Sequence, residues 1–330
     1  MSVLTPIAIS MGDPAGIGPE IIAKAWNFRQ KENLAPFIYI GCHKALTILP
    51  NCPPLKFISN PIECKTFFKD YLPVLDIKNL SPIFSGQINF ENSACVIEAI
   101  KTAVHLTIKK ECRAIVTAPI NKAVLYKYGF KHKGHTGFLS DLTNTSEEET
   151  IMMLASPELK VVPLTVHMAL KEVPSAITKS KIISTTKILH HSLVNKFGFN
   201  NPKIVISALN PHAGEGGTLG KEEQKVIIPA IKNLQKIGFN ISGPFSADTI
   251  FTKPMREKYD AAICMYHDQA LIPLKTLDFK NGINITLGIP IVRTSPDHGT
   301  AENIAGLNQA DPSSLVSAIK MADQMSKEDE

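Results

Sequence analysis

Three histidines stand where this chain could place metal ligands. His167 follows the apolar run Leu164-Thr165-Val166, His212 follows Ala208-Leu209-Asn210-Pro211, and His267 follows Met265-Tyr266. Each closes a strand pattern. In α/β sheets, groups just past the carboxyl ends of strands converge on the ligand crevice. Neutral imidazoles suit zinc and similar divalent ions, and three protein ligands leave one coordination position open for a substrate. Taken singly, each histidine reads more simply as a hydrogen-bonded structural residue. Only their shared placement argues for a ligand set.

Other reactive groups crowd the stretch from Ala261 to Gly306. Asp268 beside His267, and Asp248 in Ala247-Asp248-Thr249, could tune a metal or move a proton, or could serve as cap and turn residues. Lys275 and Arg293 are the nearest cations. With Asn284 they could bind a carboxylate or phosphate, the arginine through two parallel hydrogen bonds, although solvation is the plainer role for such residues. Asn210-Pro211-His212-Ala213-Gly214-Glu215-Gly216-Gly217 carries too much glycine for a strand. It is either a plain strand-to-helix connection or a loop held close to a ligand, where side chains beyond Cβ would collide. Gly12 to Gly18 lacks the Gly-x-Gly-x-x-Gly spacing of a dinucleotide fingerprint, and no Gly-x-x-x-x-Gly-Lys-Ser/Thr occurs. A nucleotide site, if present, is of another design, and a P-loop kinase is disfavoured.

The elements that must position these groups alternate between strands and helices. Pro6–Met11 reads as a buried strand ending in Gly12-Asp13-Pro14-Ala15-Gly16-Ile17-Gly18-Pro19-Glu20, and Pro19 suits the opening of a helix over Glu20–Phe28. Strands follow at Phe37–Gly41 and, after a helix over Asn92–Lys110, at Ala114–Thr117. A polar section, Ala118 to Gly137, comes next. Further strands are expected at Thr150–Ala155, Val161–Val166 and Ile204–Ala208, with helices over Lys179–Phe197 and Lys221–Lys236. Ala261–Met265 reads as a buried strand, Ile283–Leu287 is a second apolar run, and Pro312–Met325 reads as an amphipathic closing helix. Residues 50–90, rich in proline, give no clear pattern. The tail Lys327–Glu330 is expected to fray. This alternation implies an α/β fold with a largely parallel sheet.

The bulk composition excludes several classes. The chain has 330 residues, enough for two lobes, and its 44% apolar content supplies a core. A formal charge of +5 without a dense Lys/Arg run argues against nucleic-acid binding and suits small anionic ligands. The six cysteines are scattered without a Cys-x-x-Cys pair, which fits small buried hydrophobes in a reducing cytoplasm. No apolar stretch reaches the ~20 residues of a membrane helix, and residues 1–13 do not resemble a secretory signal. A soluble cytoplasmic protein that meets neither nucleic acid nor membrane is the expectation.

In combination, Gly12–Glu20, Thr117-Ala118-Pro119-Ile120-Asn121-Lys122, Gly134-His135-Thr136, Asn210–Glu215, Tyr266-His267-Asp268-Gln269 and Thr294-Ser295-Pro296-Asp297-His298-Gly299-Thr300-Ala301 resemble the 4-hydroxythreonine-4-phosphate dehydrogenase family of pyridoxal phosphate biosynthesis. Both ends also echo the isocitrate/isopropylmalate dehydrogenase fold. The resemblance implies two α/β lobes sharing a continuous, largely parallel sheet, with the active site in the interlobe cleft. Lobe one is expected over 1–130 and 290–330 with the nucleotide loops. Lobe two is expected over 131–289 with the metal and substrate site and the dimer contacts.

Carried over by motif, His167, His212 and His267 would bind one divalent ion per site (zinc, magnesium or cobalt), and His135, Thr136, Lys275, Asn284 and Arg293 would bind substrate. Gly12, Asp13, His298, Gly299, Thr300 and Ala301 would approach NAD, with NADP an admissible substitute. Asp248, Lys275 and Asp268 are the candidate proton carriers. The implied assembly is a homodimer whose metal site is shared across the interface. The implied reaction oxidises the hydroxyl beta to the carboxylate of a phosphorylated four-carbon substrate. Carbon dioxide is then lost, giving 3-amino-2-oxopropyl phosphate. The nearest rival is a paralogous dehydrogenase of threonate or erythronate 4-phosphate, in which only recognition of the amino group changes. A rival of another class is a non-catalytic NAD- or metal-sensing protein that keeps the fold.

Overall fold

Strands in which every residue is apolar or buried belong to sheets covered on both faces. Ile7–Ser10 (β1) and Phe37–Gly41 (β2) are buried at every position. The computed structural model describes residues 5–79, 81–132 and 134–327. Lys133 and the end of the tail, Glu328 to Glu330, where fraying is expected, lie outside them.

Among the described residues the remaining strands are Leu55–Phe57 (β3), Leu72–Asp76 (β4), Ala114–Thr117 (β5), Ile151–Ser156 (β6), Leu159–Pro163 (β7), Ile204–Ser207 (β8), Ile241–Phe245 (β9), Ala261–Cys264 (β10), Ile283–Leu287 (β11) and Arg293–Pro296 (β12). The chain divides into two compact units, Met1–Ser146 with Ile289–Glu330, and Glu147–Gly288.

In the first unit the strands run in the order β3-β4-β2-β1-β5-β12, and every pair is parallel. Chain progression reverses between β1 and β5, which makes their carboxyl ends a topological switch point. Helix Ser93–Ile108 packs on β1 and β2, and its buried residues include Cys95, Val96, Ala99, Ile100 and Ala103. Helix Ser313–Ser326 packs on β5 and β12.

The second unit has the order β11-β6-β7-β10-β8-β9. Its β11–β6 and β6–β7 pairs are antiparallel, and β7, β10, β8 and β9 are parallel neighbours. Its core gathers Leu154, Val161, Val205, Ile250, Ala262 and Leu274. The α/β class with largely parallel sheets is borne out in each unit.

Several elements differ from the pattern-based expectation, each for a local reason. The Pro-rich span 50–90 contains β3 and β4, too short to show a period. β9 holds Gly243 and Pro244, which a central strand rejects, and it lies at the sheet edge. The helix expected over Lys221–Lys236 is a π turn, Glu223–Ile227, followed by an α-helix, Ile228–Lys236. Pro229 has no N–H to donate to the preceding turn, so the ladder widens there.

His135–Leu142, expected as part of a polar section, is a helix that packs on Ser93–Ile108. The division between units accordingly falls after Ser146 rather than near residue 130. His135 and Thr136 therefore sit in the first unit. Among the described residues no helix is long and apolar enough to cross a membrane.

Candidate active site

The three parallel neighbours β7, β10 and β8 carry the three histidines on their carboxyl-terminal extensions. His167 lies four residues beyond Pro163, His267 three beyond Cys264, and His212 five beyond Ser207. The rings of His167 and His267 face each other with centroids 5.8 Å apart. His212 is exposed on the loop of the adjacent strand. Among the described residues, only Cys42, His43 and Asp76 form a trio whose ligand atoms all lie within 4.8 Å of one another. The structure thus brings two of the histidines together and leaves the third ring on its neighbouring strand end.

The backbone around these residues is unusual. His167 has φ +50°, and His212, Ala213, Gly214, Glu215 and Gly216 are five consecutive residues in the left-handed region. L-residues avoid that conformation because Cβ crowds the following carbonyl, at a cost of roughly 1–2 kcal/mol each. A buried carboxylate steadies the loop. Glu223, 1% exposed, accepts from the backbone N–H groups of Leu209 (2.9 Å) and Asn210 (2.8 Å) through Oε1, and from Asn210 Nδ2 (2.9 Å) through Oε2. Gln224 Nε2 donates to Gly216 O at 2.7 Å.

Gln269 ties two of the strand ends together. Its Oε1 accepts from Met265 N at 2.7 Å, and its Nε2 donates to Ala208 O at 2.8 Å. On the other side, Thr165 Oγ1 donates to Met265 O at 2.8 Å. Glu223 escaped the sequence reading, and Gln269 figured in it only as part of a motif. Their signal was a polar residue at a helical position facing inward, which one chain cannot distinguish from a solvated one.

His267 opens helix His267–Leu277. Its Nδ1 pairs with Asp268 Oδ1 at 2.7 Å, which leaves Nε2 as the ring atom presented to a cation. Along the same helix, His267, Asp268, Leu271, Ile272, Lys275 and Thr276 line an open concavity of about 470 Å³. Asn284 lies on β11 opposite Leu154. Asp248 is exposed in the turn 247–250.

In the first unit the motif loops meet at the switch point. Asp13 N donates to Pro119 O at 2.8 Å and Ile17 N to Thr300 O at 2.9 Å. A Cβ on Gly12, whose φ is +73°, would stand 2.4 Å from Pro119 O, and one on Gly16 would stand 2.7 Å from Thr300 O. Only glycine permits this approach.

Asp13 is buried, and burial lifts its carboxyl above the ordinary range against a hydrogen bond from Ala15 N, with Glu302 adding to the lift. Burial also pushes on Glu302, but hydrogen bonds from Thr300, its own backbone and Asn121 hold it below the usual carboxylate range. Glu20, 4% exposed, accepts from Gly306 N (3.1 Å), Ala310 N (2.9 Å) and Lys24 Nζ (2.9 Å). His298 directs Nδ1 at Gly299 O, 3.0 Å away, while its Nε2 is buried with no hydrogen-bond partner.

His135, the first residue of its helix, has Nε2 buried without a partner. Burial, then the charges of Arg293 and Lys122, push its imidazole well below its ordinary range, so the ring is neutral. Arg293, 3% exposed, is pushed down to about 9 by burial and stays charged at neutral pH. It donates through Nε (3.2 Å) and Nη2 (2.6 Å) to Thr117 Oγ1. In the tautomer that places the proton on Nε2, this buried atom in a positive field suits an anion.

A parallel sheet whose glycine-rich loops meet at its switch point has the architecture of an α/β enzyme that takes its ligand at the strand ends. The model of the family described as pyridoxal phosphate biosynthetic protein PdxA matches residues 35–322, and the chain belongs to that family.

It is 46% identical over 321 residues to 4-hydroxythreonine-4-phosphate dehydrogenase of Caulobacter vibrioides, covering 96% of each chain. It is 43% identical over 319 residues to the Zymomonas mobilis enzyme of the same name, covering 97% of this chain and 95% of that one. The crystal structure of 4-hydroxythreonine-4-phosphate dehydrogenase from Klebsiella pneumoniae matches with a TM-score of 0.85 at 33% identity, over 98% of this chain and 99% of that one. A terephthalate 1,2-cis-dihydrodiol dehydrogenase from Burkholderia xenovorans, at 23% identity and a TM-score of 0.66, covers 97% of this chain and 98% of that one and shares the fold. The protein is an oxidoreductase.

Proposed function

We propose that this protein oxidises 4-(phosphooxy)-L-threonine at the hydroxyl beta to the carboxylate, with NAD as hydride acceptor, and that loss of carbon dioxide yields 3-amino-2-oxopropyl phosphate. The observation that carries this reading is the placement of His167, His212 and His267 on three adjacent parallel strand ends, in a chain 43–46% identical to dehydrogenases of that name.

The donor set fits a divalent cation of the zinc or cobalt kind better than magnesium, which prefers oxygen ligands. All three donors are imidazoles, and His267 has its second nitrogen held by a carboxylate, as metal-bound histidines do. Such an ion, when bound, supplies Lewis acidity to the alcohol and to the ketone it becomes. The remaining work falls to the chain. Gly12, Asp13, His298, Gly299, Thr300 and Ala301 form the nucleotide loops, and the buried, unpartnered Nε2 of His298 is a donor or acceptor for that ligand. NADP is the alternative acceptor. His135, Thr136 and Arg293 are the proposed contacts for the anionic groups of the substrate, together with Lys275 and Asn284. Lys275 shares the open helix face with His267 and is the proposed proton acceptor. Asp268 orients the ring, and Asp248 lies on a separate turn. The active species is proposed to be a cytoplasmic homodimer in which a second copy completes the metal site.

NADH absorbance with 4-(phosphooxy)-L-threonine, compared with threonate and erythronate 4-phosphates, tests the assignment. Faster turnover of the amino acid, abolished by chelator and restored by a divalent ion, is expected. A preference of tenfold for a hydroxy acid, about 1.4 kcal/mol, would overturn the substrate. Absence of NADH with every four-carbon phosphate would overturn the activity.

A further inference from the structure

A different cluster of metal-ligating side chains lies at the carboxyl edge of the first unit's sheet. β2 and β4 are parallel neighbours with Gly41 opposite Asp76, so Cys42 and His43 emerge beside the Asp76 carboxylate. His43 turns back over it. The His43 backbone N–H donates to Asp76 Oδ1 at 2.8 Å, and His43 Nδ1 lies 2.9 Å from the same oxygen. The turn is fixed on three further sides. Cys42 N donates to Met11 Sδ at 3.3 Å, Tyr39 Oη donates to Cys42 O at 3.0 Å, and Ile77 N donates to Gly41 O at 3.2 Å. The His43 ring also packs edge-on against Phe57 at 5.3 Å. Sulfur, nitrogen and oxygen of Cys42, His43 and Asp76 all lie within 4.8 Å of one another.

We infer that Cys42, His43 and Asp76 form a second cation site, selective for a zinc-class divalent ion. Tetrahedral ligands at the usual Zn–S, Zn–N and Zn–O lengths of roughly 2.0–2.3 Å stand about 3.3–3.6 Å apart, so this cluster closes on one ion by small side-chain rotations. Charge favours the same ion. A thiolate and a carboxylate neutralise a divalent cation, and the imidazole adds a neutral donor. The sulfur and nitrogen donors disfavour magnesium and calcium, which prefer all-oxygen shells.

Cys42 is buried at 1% exposure, whereas the His43 and Asp76 side chains are 34% and 33% exposed. The sulfur therefore forms the floor, and water can fill the fourth position. Burial raises the Cys42 thiol above its ordinary range, so the free site holds it protonated. On binding, the S–H bond breaks and its proton leaves to solvent. A sulfur–metal bond forms, the ion sheds waters, the His43 Nδ1 proton that bridged to Asp76 moves through solvent to Nε2, and Nδ1 and the carboxylate each take a metal bond. No electrons change hands. The simpler alternative is a histidine–aspartate pair above an inert thiol.

Cobalt(II) titration of the full-length protein separates the two, because thiolate-to-cobalt charge transfer absorbs in the near ultraviolet. The set His167, His212 and His267 contains no sulfur and cannot give that band. The band is expected in the wild type, retained in His267→Ala and lost in Cys42→Ser. Should the buried serine variant fail to fold, the half-exposed His43→Ala decides, raising the cobalt concentration for half-saturation of the band by roughly tenfold or more. No charge-transfer band at any cobalt loading, a band that survives in Cys42→Ser, or an unchanged titration in His43→Ala would each overturn the site.

Discussion

Gln269 spans the ends of two strands, taking the N–H of Met265 with its oxygen and giving its amide to the carbonyl of Ala208. Both backbone partners are buried, so an alanine at 269 strands the Met265 donor, while Ala208 O keeps only the Ser207 hydroxyl at 3.2 Å. Gln269→Ala should lower stability by about 1–3 kcal/mol in denaturant unfolding, the cost of an unsatisfied buried polar group. Because the same bonds hold the stems of the His212 and His267 loops, metal affinity should fall with it, by roughly 10–100-fold. Wild-type stability in this variant would show that the bridge is incidental.

His212 separates the two demands on its loop. It is exposed and left-handed, with φ +51°. Glycine at this position removes the imidazole and relieves a backbone strain worth about 1–2 kcal/mol. His212→Gly is expected to retain or raise the melting temperature of the metal-free protein while abolishing metal retention by elemental analysis. A lower melting temperature with metal still bound would make this histidine structural.

Gly16 tests the contact between two loops distant in sequence. The added Cβ of Gly16→Ala meets Thr300 O at 2.7 Å, and that carbonyl already accepts from Ile17 N. The loops must part by several tenths of an ångström. The expected result is a raised KM for NAD with kcat changed less, since the displaced groups belong to the proposed nucleotide loops. An unchanged KM would remove the His298–Ala301 loop from the nucleotide site.

The buried His135 sets a pH dependence of stability. Its imidazole is pushed well below 6.5 by burial and by Arg293 and Lys122, so the unfolded chain takes up a proton that the folded chain refuses. Stability from this group is fully present above pH 6.5 and is lost as pH falls toward the depressed native value. His135→Gln, which cannot titrate, should flatten the slope of unfolding free energy below that pH. An identical slope in the variant would show that the ring is protonated when folded.

Much of this architecture was legible from residue pattern. β2, β5 and β11 fall where continuous apolar runs place them, and helix Ser93–Ile108 lies within the span its periodicity marks. The histidines were legible as strand-end residues because β7, β8 and β10 are short, buried and sharply ended. What escaped depends on partners remote in sequence. Glu223 resembles any glutamate on a charged helix until Leu209 and Asn210 are seen to donate to it. Glu302 gains its meaning from Asn121, which lies on another element. β9 was hidden because a strand containing Gly-Pro is tolerated only where one edge is unpaired. The left-handed run from His212 to Gly216 left a trace in the glycine content, but three of its five residues are not glycine.

The carboxylate of Glu20 accepts amides from Gly306 and Ala310, the latter 290 positions away, and β12 supplies the neighbour of β5. During synthesis the first unit must therefore wait. Its loop Gly12–Glu20 lacks its last supports until about three hundred residues have left the ribosome, whereas Glu147–Gly288 is contiguous and emerges whole beforehand. The order of assembly is thereby reversed relative to the order of translation, and Ile7–Glu20, made before the second unit, belongs to the part that is finished last.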